Sequence, residues 1–472
     1  MRKTKIVCTL GPATDDENVL RRLMLAGMNV ARLNFSHGTH EEHKKRMDTV
    51  KRLRDELDLP VAILLDTKGP EIRTGDFEGG RCEVHAGDFF TFTTRELMGD
   101  STICTITYKE LAQDVTEGSR ILVDDGLIEM KVKSVNDGDI LCEVVNGGPI
   151  SNHKGINVPD VHLSMPYMSE KDRADILFGI EQDVDFIAAS FVRNARDVLE
   201  IRKLLDENGG KDIDIISKIE NNEGVNHIDD IIYVSDGIMV ARGDMGVEMP
   251  TEEVPVVQKL IIHKVYNAGK RVITATQMLD SMMKHPRPTR AETTDVANAI
   301  YDGTSAIMLS GETAAGDYPV ESVEMMVKIA ERTEKDIDYR KRFHNYDRKA
   351  NPNVTDATCH AACTMAMDLD ASAIVIVTKS GMSARNVSKY RPTCPIIAGT
   401  TSDKAYRKLN MSWGVTPYRL DEKDEIFSLF DHALEVASAK GHLKKGDTVV
   451  IAAGVPLGVT GCTNMLRVQS VN

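Results

Sequence analysis

Eight short runs of β-branched and aliphatic residues set what this chain can fold into. They are KIVCTL from Lys5, MNVARLNF from Met28, VAILLD from Val61, DFIAASF from Asp185, IDIISKIE from Ile213, GIMVARGD from Gly237, RVITATQM from Arg271 and AIMLS from Ala306. Between most of them lie stretches with helical periodicity, such as NVLRRLMLAG and RDVLEIRKLLDENG, the second stopped by Gly209 and Gly210. Strands that alternate with helices form parallel sheets. Eight such units predict an α/β fold built on a closed (β/α)8 TIM barrel.

The run starts fall about 25 to 35 residues apart, except between Val61 and Asp185, where the spacing is roughly 120. An insert therefore follows the third strand. Residues 71–167 carry FFTFTT, RILVDDGLIEMKVKSV and DILCEVVNGG among Gly, Asp and Asn turn residues, with few helical stretches. That density of strands predicts a small inserted β-barrel domain, leaving residues 1–70 and 168–340 to the large barrel. Beyond Lys341 the polar stretch RKRFHNYDRKANPN reads as a linker. Residues 350–472 then alternate AIVIVT, PIIAGT, GVTPYRL and DTVVIAAG with helices, which predicts a C-terminal three-layer α/β domain.

Composition excludes several functions. A net charge of -14 and a pI near 5.5 argue against nucleic-acid binding, which needs a basic surface. No apolar stretch approaches the roughly 20 residues that span a bilayer, so no membrane partner is expected. The amino-terminal MRKTKIVCTLGP lacks the long hydrophobic region of a signal peptide and reads as an immediate first strand. The eight cysteines include no Cys-x-x-Cys pair, and Cys359 and Cys363, four apart on a predicted helix, read as core residues in a reducing compartment. The expected location is the cytoplasm.

In a (β/α)8 barrel, functional side chains gather at the carboxyl ends of the strands, and strand side chains alternate with period two. The second run ends Arg32-Leu33-Asn34-Phe35-Ser36-His37, which puts Arg32, Asn34 and Ser36 on one side. The third ends Asp66-Thr67-Lys68, the fifth Lys218-Ile219-Glu220, the sixth Arg242-Gly243-Asp244, and the seventh carries Thr274-Ala275-Thr276. Each alone has an ordinary explanation: an ion pair, a helix cap or a turn. Their convergence on one barrel mouth does not, because desolvating so many charges is costly unless ligands pair them. Glu220 and Asp244 offer the hard oxygens that suit Mg²⁺. Asn34, Ser36, Asp66 and Thr67 offer neutral oxygens and one carboxylate, suited to a larger monovalent cation. Arg32 and Lys218 remain to meet a phosphoryl group. Metal and basic residues without an acyl nucleophile fit phosphoryl transfer. Neither a Gly-x4-Gly-Lys-Ser/Thr loop nor a Gly-x-Gly-x-x-Gly motif is present.

Read in order, MNVARLNFSHG, LLDTKGPEIRTG, ISKIEN, IMVARGDMGVE and TATQMLDSM resemble the pyruvate kinase family, and the likeness extends through the carboxyl-terminal part. The resemblance implies that Arg32 contacts the phosphate of phosphoenolpyruvate and Lys218 steadies the phosphoryl group in flight. Glu220 and Asp244 would ligate Mg²⁺, or Mn²⁺ in its place, and Asn34, Ser36, Asp66 and the backbone of Thr67 would bind K⁺. Gly243, Asp244 and Thr276 would hold the substrate carboxylate, with Thr276 also orienting a water that protonates enolpyruvate. Asn34, His37, Arg73 and Lys154 would meet ADP or ATP. Glu71 resembles the K⁺-dependent members. The insert would act as a mobile lid, the assembly would be a homotetramer, and the end at Asn472 is similar to members without an extra phosphoenolpyruvate-synthase-like domain.

Thr378-Lys379-Ser380-Gly381-Met382-Ser383 follows an apolar strand and opens a predicted helix, a plausible phosphate site that resembles the family's site for a phosphorylated allosteric effector. The later loop Gly454-Val455-Pro456-Leu457-Gly458-Val459-Thr460-Gly461 lacks the Arg or Trp that members activated by fructose 1,6-bisphosphate often carry. AMP or a sugar monophosphate such as ribose 5-phosphate is therefore an alternative to the bisphosphate. Two other readings of the whole chain compete with the kinase. One is a metal-dependent lyase or aldolase acting on phosphoenolpyruvate or pyruvate, and the other is a non-catalytic sugar-phosphate sensor. The first leaves the monovalent-cation oxygens unexplained, and the second leaves Lys218, Glu220 and Asp244 without purpose.

Overall fold

The computed structural model describes residues 1–346, 353–457 and 461–471. Its centre is a closed barrel of parallel strands: β1 (Lys5–Thr9), β2 (Val30–Asn34), β3 (Ala62–Asp66), β4 (Phe186–Ala189), β5 (Asp214–Ile219), β6 (Gly237–Ala241), β7 (Arg271–Ala275) and β8 (Ala306–Leu309). Each strand pairs with the next, and β8 returns to β1 through Lys5↔Ala306 to Cys8↔Leu309. The surrounding helices begin where the chain supplies caps. Thr39 with Glu42, and Thr289 with Glu292, form capping boxes at the starts of His40–Glu56 and Arg290–Asp302.

Period-two alternation sorts the strand residues into two cores. Ile6, Cys8, Ala31, Leu33, Ile63 and Leu65 face outward and pack with the helices. Val7, Val30, Ala62, Leu64, Phe186, Ala188, Ile216, Met239, Ile273 and Ala275 fill the interior. Met411, from the carboxyl-terminal domain, joins that inner core and closes the barrel base. The inward columns thus start apolar and turn polar toward the carboxyl ends: Val30-Arg32-Asn34, Leu64-Asp66, Ala188-Ser190 and Ile216-Lys218-Glu220.

The insert has its own core, including Phe90, Phe92, Ile121, Met130, Val132 and Ile140, under a seven-stranded and a two-stranded sheet. The run RILVDDGLIEMKVKSV folds as a hairpin, Arg120–Val123 with Ile128–Asn136. Its turn holds Asp124, Asp125 and Gly126 at positive φ.

In the carboxyl-terminal domain the sheet runs β11-β10-β9-β12-β13, from β9 (Ala373–Val377), β10 (Ile396–Thr400), β11 (Val415–Arg419), β12 (Thr448–Ala453) and β13 (Met465–Ser470). A separate core covers each face, which gives three layers. Cys359 and Cys363 lie buried on helix Val354–Asp368 against the backbone of Ser383 and Val387. The polar stretch expected as a linker departs from expectation, because Tyr339–His344 is helical with Tyr339 and Phe343 buried. Tyr339 packs on Trp413 and Phe343 on His360, so tertiary contacts override local polarity. Residues 347–352 of that stretch lie outside the described residues. No helix among the described residues is long and apolar enough to cross a membrane.

Candidate active site

The barrel mouth holds one connected network of buried charge. Arg32 Nε donates to Asp66 Oδ2 at 2.6 Å, and Arg32 Nη1 donates to Thr9 Oγ1 at 2.9 Å. Lys218 Nζ reaches Asp66 Oδ1 at 3.1 Å and Ser190 Oγ at 2.7 Å, and lies 3.0 Å from Glu220 Oε1. These contacts join the carboxyl ends of β1, β2, β3, β4 and β5, and the inward columns of the last four turn polar at this level. Asp66 is fully buried, Glu220 is 1% exposed, and Arg32 and Lys218 are each 8% exposed.

Burial opposes the charge on Lys218, but Asp66 and Glu220 outweigh it and raise the pKa of the ammonium. Burial likewise opposes the Asp66 carboxylate, yet Arg32 and Lys218 hold its pKa below the usual value. Glu220 resolves the other way. Burial pushes it up to about 8, against the pull of Lys218 and with help from the nearby Asp244 carboxylate. One Glu220 oxygen accepts from the Phe191 amide at 2.6 Å. The other, Oε1, sits near Lys218 but receives no aligned hydrogen bond. A buried carboxylate oxygen without a donor, beside a second carboxylate, is the donor set a divalent cation takes up. No group of three or more His, Cys, Asp or Glu side chains disposed to hold a metal occurs among the described residues. The remaining ligands would therefore come from water and substrate oxygens.

Asn34 and Asp66 are register partners on β2 and β3, with Ser36 and Thr67 just beyond. Asn34 Oδ1 accepts from the Ser36 amide at 3.1 Å, and the Thr67 carbonyl accepts from Ser190 Oγ at 2.6 Å. Gly243 and Asp244 open the short helix Arg242–Glu248. The Gly243 amide donates to Thr276 Oγ1 at 2.8 Å, and that hydroxyl faces the Ala275 carbonyl at 2.7 Å. Thr276 and Gln277 both adopt positive φ, a costly conformation for non-glycine residues that concentrates at functional sites.

A cavity of about 680 Å³ opens between the mouth and the insert, lined by Arg73, Asp124, Asp125, Lys154 and Asp244 among others. Arg73 pairs with Glu71 at 2.7 Å, and Lys154 Nζ donates to Asp124 Oδ1 at 2.8 Å. Asn34 and His37 do not line this cavity; His37 is exposed and its carbonyl is 2.8 Å from His43 Nε2.

Two parts of the site went unnoticed in the sequence. Ser190 bridges Lys218, Asp66 and Thr67, and the sequence carries a signal for it: it is the serine of DFIAASF, a polar residue just beyond β4, two positions after inward-facing Ala188. The contacts between insert and barrel, Asn157 Nδ2 to Glu248 Oε1 at 2.8 Å and Asn222 Nδ2 to Asp160 Oδ1 at 3.0 Å, carry no local signal.

In the carboxyl-terminal domain a second cavity, of about 190 Å³, is lined by Thr378, Lys379, Ser380 and Ser383, with Glu422 and Asp424 on its wall. The Gly381 amide donates to Thr378 Oγ1 at 3.1 Å. Residues 458–460 of the later loop lie outside the described residues.

Comparison with known proteins places this architecture. The family model described as "Pyruvate kinase, barrel domain" matches residues 1–323, and "Pyruvate kinase, alpha/beta domain" matches residues 356–469. The chain belongs to the pyruvate kinase family. It is 52% identical to the pyruvate kinase of Clostridium acetobutylicum over 472 residues, covering all of both chains. It is 50% identical to that of Clostridium perfringens, again over the whole of both chains. The pyruvate kinase of Sporosarcina psychrophila is 52% identical, with all of this chain matching 81% of that protein. A crystal structure of a pyruvate kinase from Cryptosporidium parvum superposes with a TM-score of 0.96 at 40% identity, covering 100% of this chain and 96% of that one.

Proposed function

We propose that this chain carries out the last step of glycolysis, transferring the phosphoryl group of phosphoenolpyruvate to ADP to give pyruvate and ATP, with Mg²⁺ and K⁺ as required cations. The observation that carries the reading is the Arg32–Asp66–Lys218–Glu220 network, buried at the mouth with one Glu220 oxygen lacking a donor. Such a constellation is expensive without a ligand and suits a reaction run by positioning and charge neutralisation.

Arg32, fixed by Asp66 and Thr9, presents its remaining donors to the substrate phosphate. Lys218, held by Asp66 and Ser190, keeps a full charge beside the path of the transferring group and lowers the barrier electrostatically. Glu220 and Asp244 would hold Mg²⁺ or Mn²⁺, and Asn34, Ser36, Asp66 and the Thr67 carbonyl would hold K⁺. When bound, the divalent ion supplies charge neutralisation across phosphate oxygens. Gly243, Asp244 and Thr276 receive the carboxylate. The Thr276 hydroxyl is already engaged with Gly243 and Ala275, which favours it as the residue that orients a protonating water over one that gives up its own proton. Arg73 and Lys154, which line the cavity, meet the nucleotide; Asn34 and His37, which do not line it, would reach the nucleotide from outside it, and the insert excludes water when it closes.

The second cavity takes a phosphorylated activator, with phosphate at Thr378, Lys379, Ser380 and Ser383. Glu422 and Asp424 also line this cavity, with Lys423 between them; in that stretch two carboxylates against one cation favour a single phosphate with hydroxyls, as in AMP or a sugar monophosphate, over a bisphosphate. The working form is a cytoplasmic homotetramer.

The test is pyruvate formation from phosphoenolpyruvate and ADP with Mg²⁺, with K⁺ present or replaced by tetrapropylammonium. Turnover that collapses without K⁺ supports both the reaction and the cation site. Indifference to K⁺ removes that site, and no pyruvate under any effector removes the kinase reading in favour of the lyase.

A further inference from the structure

A small cavity lies where the base of the barrel meets the carboxyl-terminal domain, and it shares no lining residue with the two cavities described above. Its wall gathers Lys270 and Arg271 from the barrel with Arg385, Lys389 and Arg391 from the other domain, and no Asp or Glu lines it among the described residues. Arg271 is neutralised by Asp214 at 2.7 Å and Lys389 by Asp356, while Lys270 donates to the carbonyls of Ile232, Tyr233 and Ser235.

Arg391 differs from these. It is 2% exposed and pairs with no carboxylate among the described residues. Its Nη2 donates to the Gly303 carbonyl at 2.9 Å and lies 3.4 Å from Ser305 Oγ. Its Nε and Nη1 are buried without a hydrogen-bond partner. The Oη of Tyr266, on the same cavity wall, is also buried and unpartnered. The guanidinium stands 4.4 Å from the ring centroid of Trp413 and 5.2 Å from that of Tyr266, which contributes cation–π attraction but satisfies none of these N–H groups. Backbone strain accompanies the placement, since Arg391 has φ 50°.

Three donors without acceptors therefore belong to a pocket whose charged lining side chains are all cationic. Burial pushes Arg391 down to about 9, yet a guanidinium does not give up its proton in a protein. The free volume is about 10 Å³, room for one particle of roughly water size. A water would accept hydrogen bonds there but leave the buried charge uncompensated, and leaving a buried charge unpaired is strongly destabilising.

We propose that this cavity is a binding site for one monatomic anion of the chloride class, held by Arg391 Nε and Nη1 and by the Tyr266 hydroxyl. The ion neutralises Arg391 and fastens the barrel base, through Arg271 and Ser305, to the carboxyl-terminal domain. Phosphate and nucleotides are too large for it, so the site is independent of the substrate and effector sites.

The test uses the full-length protein, with chloride compared against gluconate at matched ionic strength and constant K⁺. Crystals grown in bromide should show an anomalous peak within hydrogen-bonding reach of Arg391 Nε or Nη1. Tm should rise with the logarithm of chloride concentration, by about 1 °C per tenfold once the site is filling. Tyr266→Phe, which keeps the ring that Arg391 faces, should shift that curve to about tenfold higher chloride. Arg391→Met should abolish the dependence; where it fails to fold, Tyr266→Phe carries the decision. A water in place of the bromide peak, or equal chloride curves for wild type and Tyr266→Phe, overturns the proposal. A bromide peak without chloride-dependent stability means an adventitious ion only, and overturns it as well.

Discussion

Replacing Lys218 with methionine isolates the charge at the centre of the network. Methionine fills nearly the same volume and removes the ammonium with its contacts to Asp66 (3.1 Å), Ser190 (2.7 Å) and Glu220 (3.0 Å). Breaking a buried pair usually costs about 3–5 kcal/mol, because a lone charge remains. Here neither carboxylate is stranded. Asp66 keeps Arg32 at 2.6 Å, and Glu220, already raised to about 8, takes up a proton. The stability loss should therefore be nearer about 1–3 kcal/mol, the range for unsatisfied buried donors and acceptors, and the protein should fold. On the proposed mechanism, catalysis would also lose the Lys218 cation beside the path of the phosphoryl group. A barrier increase of about 4 kcal/mol or more lowers kcat at least about a thousandfold. The assay is pyruvate formation at saturating Mg²⁺ and K⁺, coupled to NADH oxidation, with phosphoenolpyruvate binding followed separately by calorimetry. Binding should survive, because the loss falls mainly on the transition state. Turnover within tenfold of wild type in a folded variant refutes the role given to Lys218.

Asp214 lies nearly buried beneath the barrel, and although burial opposes its charge, Arg271, Arg385 and Lys408 hold its pKa far below 3.8. Its contribution is thus present above the unfolded pKa and lost as pH falls below about 4. Asp214→Asn should destabilise by about 3–5 kcal/mol at pH 7, and calorimetry should show the gap from wild type narrowing toward pH 3. Asn157→Ala removes the 2.8 Å bond to Glu248 that ties the insert to the barrel. It should cost about 1 kcal/mol locally and speed amide exchange across residues 71–167 while leaving the barrel core protected. Glu71 pairs with Arg73 at 2.7 Å and with Lys68 at 3.4 Å. A lysine there supplies a resident cation, so Glu71→Lys should retain most of its turnover when tetrapropylammonium replaces K⁺; a variant as K⁺-dependent as wild type would count against the cation reading.

Local pattern determined much of this protein. Strand runs and their spacing define eight units and an insertion, because β-branched runs and helical periodicity are local properties. Side-chain parity also put Lys218 with Glu220, and Arg32 with Asn34, on single faces before any fold was known. What parity cannot supply is the closure that brings Arg32, Asp66 and Lys218 together across separations of 34 and 152 residues. That depends on the tilt and stagger of the whole barrel. Parity puts Ser190 on the inward side as well, but its bridge from Lys218 to Asp66 and Thr67 depends on the same closure. The helix Tyr339–His344 shows the converse, a polar segment ordered by Trp413 and His360 from the next domain. Arg391, with no carboxylate partner among the described residues, the Asp214 cluster and Met411 in the barrel base all arise where two domains meet. No short-range sequence rule encodes them, because the low dielectric and the missing partners that define them exist only once the surfaces have closed.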